Sequence, residues 1–152
     1  MIDRLLNFCG VSENEVSAET TGEARIQHAT AVLLVEIARA DHERLEVEHD
    51  AMLVSLQNGF SLSAVEAESL LGRAETAAEH SVSLHEFTRV LHAELGYDEK
   101  EKIIEMLWRI ALADKVLDKY EDYMIGKIAE LLYVARGDVI RLKNRVVESL
   151  DK

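Results

Sequence analysis

Proline is absent from the 152 residues, so no pyrrolidine ring forces a break inside a helix. Cysteine occurs once, as Cys9, and an intrachain disulfide cannot form. That fits a reducing compartment. Cys9 lies in an apolar run with Ile2, Leu5, Leu6 and Phe8, where it reads as a small packed side chain rather than a nucleophile. Glycine numbers only 7 and aromatics make up 5%. No apolar run reaches membrane-spanning length, and no basic stretch leading into an apolar one opens the chain. Membrane insertion is therefore not expected, and the predicted location is the cytoplasm. Basic residues are also scarce, 17 against 29 acidic ones, for a formal net charge of −12. Such a field repels nucleic-acid phosphates and anionic lipids, so neither is expected as a partner. It attracts cations and basic protein surfaces.

What remains is helix-forming material. Ala, Leu, Glu and Lys dominate, and 48% of residues are hydrophobic, enough for one core at this length. Residues 2–9 read as a short amphipathic helix and 10–21 as a polar arm. A long helix is predicted from about Glu23 to Asp41, with Ile26, Ala29, Val32, Leu33 and Ile37 at helical spacing. A turn over 42–45 leads to a helix from about Glu46 to Gln57, which Asn58-Gly59 closes as a C-cap signal. Ser63 with Glu66, and Ser83 with Glu86, form capping-box patterns before two further helices. Asp98 and Asp118 read as N-caps of the next two. Gly137-Asp138 introduces a last helix over about Val139–Leu150. The expected architecture is all-α: one helical bundle of seven to eight helices. Residues 1–22 form an N-terminal helix and arm, and 23–150 the globular unit. Short connections imply mostly antiparallel neighbours.

Two stretches match at a constant offset of 73 residues. Ile37-Ala-Arg-Ala-Asp41 corresponds to Ile110-Ala-Leu-Ala-Asp114. A glutamate follows each aspartate by seven positions, at Glu48 and Glu121, and an apolar pair follows at Met52-Leu53 and Met124-Ile125. The pattern predicts two related helix–turn–helix repeats. On these residues the chain resembles the TerB (tellurite resistance protein B) family, whose hairpins each carry an Ala-Asp-Gly-x-hydrophobic-x-x-x-Glu signature. The second copy, Ala113 to Glu121, follows it except for Lys115 in place of glycine. The first, Ala40 to Glu48, keeps Asp41 and Glu48 but has His42 for the glycine and Arg44 where a hydrophobic is usual. The segment from Leu131 to Lys143 is similar to the C-terminal end of such proteins. The resemblance implies an all-α domain, a link to tellurite resistance and stress response, and acidic corners that bind a metal.

Elementary electrostatics gives the ion reading its own basis. Asp41 and Asp114 fall at predicted helix C-termini, where the macrodipole disfavours a carboxylate. Each short turn brings a second acid, Glu48 or Glu121, into the first turn of the next helix. Two such charges about 5 Å apart repel by roughly 3 kcal/mol at an effective dielectric of about 20. A divalent cation turns that repulsion into attraction, and all-oxygen ligands select Ca²⁺, Mg²⁺ or Mn²⁺. A purely structural reading stands beside it: Asp118 and Glu121 form a capping box, Glu48 meets a positive helix end, and the aspartates accept backbone hydrogen bonds. The acids are expected at exposed corners rather than in an apolar pocket. His42 and His49 flank the first corner without a zinc-ligand spacing. No nucleophile–base–orienter set or phosphate loop occurs, so no enzymatic activity is expected. The alternative function is an acidic protein–protein interaction module with no metal requirement, including a homodimer through Trp108, Tyr120, Tyr123 or Tyr133. For Trp108, on a stripe with Ile104, Leu107 and Ala111, core packing is the favoured reading.

Overall fold

The computed structural model describes residues 22–39, 45–80, 83–113 and 119–150, the side chains of 45–48 apart. The predicted helix at 2–9 and the arm at 10–21 lie outside the described residues. Seven helices run through them: α1 Gly22–Arg39, α2 Leu45–Phe60, α3 Ala64–His80, α4 His85–Glu94, α5 Tyr97–Ala111, α6 Lys119–Leu132 and α7 Arg136–Leu150. Among the described residues there is no strand, and no helix is long and apolar enough to cross a membrane.

Helix α1 is the centre of the bundle. Ala29 through Val35 are buried without interruption, followed by Ile37 and Ala38. A helix apolar on one stripe faces a core, whereas one apolar all round is enclosed. Accordingly α1 packs against α2, α3, α4, α5 and α6. The hairpin repeat holds in burial as well as in sequence. Ala31, Leu34, Val35, Ile37 and Ala38 of α1 are buried, and so are Ile104, Leu107, Trp108, Ile110 and Ala111, their counterparts 73 residues on in α5. Helices α1 and α2 pack together as the first hairpin, α5 and α6 as the second.

Several boundaries differ from the sequence expectation, each for a local reason. Asn58-Gly59 does not end α2. The helix runs on to Phe60, Ser61 takes the left-handed conformation (φ 57°), and the Leu62 N–H donates to the Gln57 carbonyl at 3.1 Å. That bond is the six-to-one closure of a Schellman cap. Gly59 serves packing instead, since a Cβ there would meet the Met106 methyl of α5 at 3.2 Å. Helix α6 closes the same way, with Tyr133 at φ 62° and the Val134 N–H donating to the Ala129 carbonyl at 2.9 Å. A side chain in the left-handed region costs roughly 1 kcal/mol that glycine avoids. Ser61→Gly is therefore expected to raise stability by about 1 kcal/mol, read as a higher urea midpoint at unchanged slope.

The Ser63–Glu66 capping box forms as predicted, with both reciprocal bonds present at 3.1 and 2.8 Å. The Ser83–Glu86 box does not. Leu84 occupies the N-cap position of α4, and the Ser83 hydroxyl accepts from the His85 N–H instead. Asp98 is not the cap of α5 either. Gly96 is, and the Glu99 carboxylate accepts its N–H at 3.0 Å. Helix α7 begins three residues before the predicted Val139. The Tyr97 hydroxyl, at the start of α5, accepts the Ala135 N–H at 2.9 Å and donates to Asp138 at 2.7 Å. One side chain thus ties the first turns of α5 and α7 together. That bond raises the Tyr97 pKa and lowers that of Asp138.

Candidate functional site

Of the four acids predicted to form the site, Asp41 and Asp114 lie outside the described residues. Glu48 falls in the first turn of α2, without a described side chain. Glu121 is the third residue of α6, immediately after the second corner, and it is fully buried at 0% exposure. The expectation of solvent-exposed acids is corrected at this position. The cause is helical phase. Glu121 precedes Ile125, Ile128, Ala129 and Leu132 by four, seven, eight and eleven positions, and all four are buried, so Glu121 lies on the stripe that α6 turns inward. Position 48 stands at the same spacing before Met52, Ser55 and Leu56, which are buried on α2.

A carboxylate removed from water is stable only with compensation from dipoles, hydrogen bonds or positive charge. Glu121 Oε2 is closed off from solvent. The third helical position places it against the positive end of the α6 macrodipole, which supplies part of the compensation. A hard cation is a further source of such compensation, and carboxylate oxygens are the ligands it takes.

The geometry of the two hairpins brings their parent helices together. Gly22 and Arg25, at the start of α1, contact Glu94, three residues before α5 begins, with Arg25 and Glu94 forming an ion pair at 3.1 Å. Helices α1 and α5 thus set out side by side and pack against each other, and each acidic corner follows the far end of one of them. One acid near the first corner escaped the sequence reading. Glu36, in the last turn of α1, is half-buried, and burial pushes its carboxyl above the usual range against the opposing pull of Arg39. No sequence signal marked it, since its counterpart in the repeat is Arg109. A raised folded-state pKa means that the native state binds more protons above the unfolded value, so stability falls as pH rises through that window. Glu36→Gln is expected to raise Tm at pH 7 and to leave it nearly unchanged at pH 4. A thermal melt at both pH values checks this.

The described histidines have local roles. His28 stands edge-on to Phe87, with its pKa lowered by burial and by Arg73. His92 stacks against Tyr133 and lies 2.6 Å from the Lys100 ammonium. His80 bonds the Thr76 carbonyl, and His49 is 3.8 Å from Glu68. Among the described residues no three His, Cys, Asp or Glu side chains converge on one point.

Trp108 is a core residue, as favoured: it is 2% exposed and its indole N–H donates to the Val139 carbonyl at 3.1 Å. Tyr120 and Tyr123, by contrast, stand 70% and 66% exposed on α6.

A family model described as tellurite resistance protein TerB matches residues 27–144, from the second turn of α1 into α7, across both acidic corners. No curated protein and no solved structure matches the chain.

Proposed function

Because the chain belongs to the TerB family over residues 27–144, we propose that it is a non-enzymatic cytoplasmic domain that binds a divalent cation through Asp41, Glu48, Asp114 and Glu121. The observation that carries this reading is the complete burial of Glu121 directly beside the second corner. A carboxylate placed so deep needs compensation from dipoles, hydrogen bonds or positive charge, and a cation at the corner is the source this reading adds. The matched phase of positions 48 and 121 supports a paired role for the two hairpins. Four carboxylates make a hard, all-oxygen ligand set, which selects Ca²⁺, Mg²⁺ or Mn²⁺ over softer metals. Carboxylates alone, without a nucleophile in the motif, supply binding rather than catalysis. A part in tellurite resistance rests on the family's name, and a part in stress response is a further proposal beyond it.

The test is a thermal-shift titration with Ca²⁺, Mg²⁺, Mn²⁺ and Zn²⁺ on wild type and on the Asp41→Ala/Asp114→Ala variant. A hard cation at about 100 times its Kd adds about 2.7 kcal/mol to wild type. For a chain of this size that is a Tm rise of roughly 5–10 °C. The double variant is expected to lose the rise. Identical curves for the two proteins would end the ion-site reading.

A second reading has its own observation. Tyr120 and Tyr123 are exposed around Asp122 on α6, and aromatic residues on an acidic face are what a basic protein partner or a second copy would engage. That interaction weakens with salt and is indifferent to chelator, which separates it from the first.

A further inference from the structure

A groove of about 580 Å³ runs along α5, bounded by the start of α1 and the end of α2. Ile26, Val54, Phe60, Leu95, Ile103 and Met106 give it an apolar lining, and Val54 is 54% exposed there. We propose that this groove is the docking site of residues 2–9 of the same chain.

Four observations favour that occupant. The first is position. Glu23, the second residue of α1, lines the groove, so the chain preceding α1 joins the fold at the groove's edge. The second is pattern. In helical register Ile2, Leu5, Leu6 and Cys9 share one face, with Phe8 on its flank, while Asp3, Arg4 and Asn7 share the other. That pattern is the one an amphipathic helix needs to lay its apolar face into a groove. The third is length. Eight residues of helix extend about 12 Å, and the lining from Glu99 to Arg109 covers about 15 Å of α5. The twelve residues 10–21 span at most about 40 Å, enough to return the segment along the whole groove. The fourth is charge. The groove is lined by both signs, Glu23, Glu99 and Glu105 with Lys102 and Arg109, and the segment brings one charge of each sign, Asp3 and Arg4, to meet them. Tethering supplies millimolar effective concentration, so one helix face suffices for occupancy.

The full-length chain carrying Asn7→Cys and Cys9→Ala has one thiol, on the polar face of the segment, for a nitroxide label. Docking predicts that amide signals of Val54, Phe60 and Met106 lose at least half their intensity, while those of Ile140 and Glu148 on α7 keep theirs. Adding Leu5→Asp and Leu6→Asp is expected to restore the lost signals while circular dichroism shows an unchanged helical fold. Signals along the groove that stay sharp, or that broaden no more than those of α7, overturn the proposal. A mixture of isotope-labelled wild type with unlabelled nitroxide protein gives the remaining control. Groove broadening in that mixture assigns the site to a second copy and overturns docking within one chain.

Discussion

Trp108→Ala is expected to cost about 3–5 kcal/mol of unfolding free energy, as large-to-small changes in cores do. At this chain length the corresponding fall in Tm is roughly 6–20 °C. Trp108 sits in the inward face of α5 at 2% exposure, and its indole N–H reaches the Val139 carbonyl in α7. The Lys143 ammonium, also from α7, lies 5.4 Å from the ring centroid and adds a cation–π contact. Truncation empties the space between two helices that otherwise meet closely, and the surrounding side chains refill it only in part. Trp108→Phe separates the contributions. It keeps most of the volume and removes the N–H donor, for a loss nearer 1 kcal/mol. Urea unfolding monitored by circular dichroism gives both numbers. A loss below about 1 kcal/mol for the alanine variant would mean that α7 is not held by this side chain.

Glu121→Gln is expected to abolish the cation response and, because it removes a buried charge, to raise rather than lower the melting temperature of the chelator-treated protein. Glutamine keeps the shape of the side chain and its hydrogen-bonding capacity but not its charge. A hard divalent ion then loses a charged ligand, and the roughly 5–10 °C rise expected of wild type should shrink to a degree or two. Structural capping alone predicts a different result. A glutamine at the third helical position still closes a capping box, so both proteins would show the same melting temperature with and without metal. A full cation-induced rise in the glutamine variant would remove Glu121 from the ligand set.

The helices were legible because each is long, apolar at regular spacing and free of proline. The Ser63 box was legible because its two partners are three residues apart and need nothing from the rest of the fold. The misread boundaries depend on contacts between distant segments. Gly59 looks like a helix stop until α5 is present, and then it is the residue that lets Met106 come close. The start of α7 is set by the Tyr97 hydroxyl, from nearly 40 residues upstream. At the site, the repeat picked out Glu121, and its phase with Ile125, Ile128 and Leu132 held the information that it turns inward. A reading that takes acids at helix corners as exposed overlooks that phase. Glu36 had no such signal, since its burial comes from neighbours that α1 meets only in the assembled bundle.

The enclosed character of α1 has a consequence for the nascent chain. Its apolar surface leaves the ribosome early, whereas α4, α5 and α6, which cover much of it, follow over the next ninety or so residues. At ordinary translation speeds that wait is about 5–20 s. During it, the stretch from Ala29 to Ala38, apolar but for Thr30 and Glu36, has only α2 and α3 to shelter it. Such a segment is a natural client for ribosome-associated chaperones.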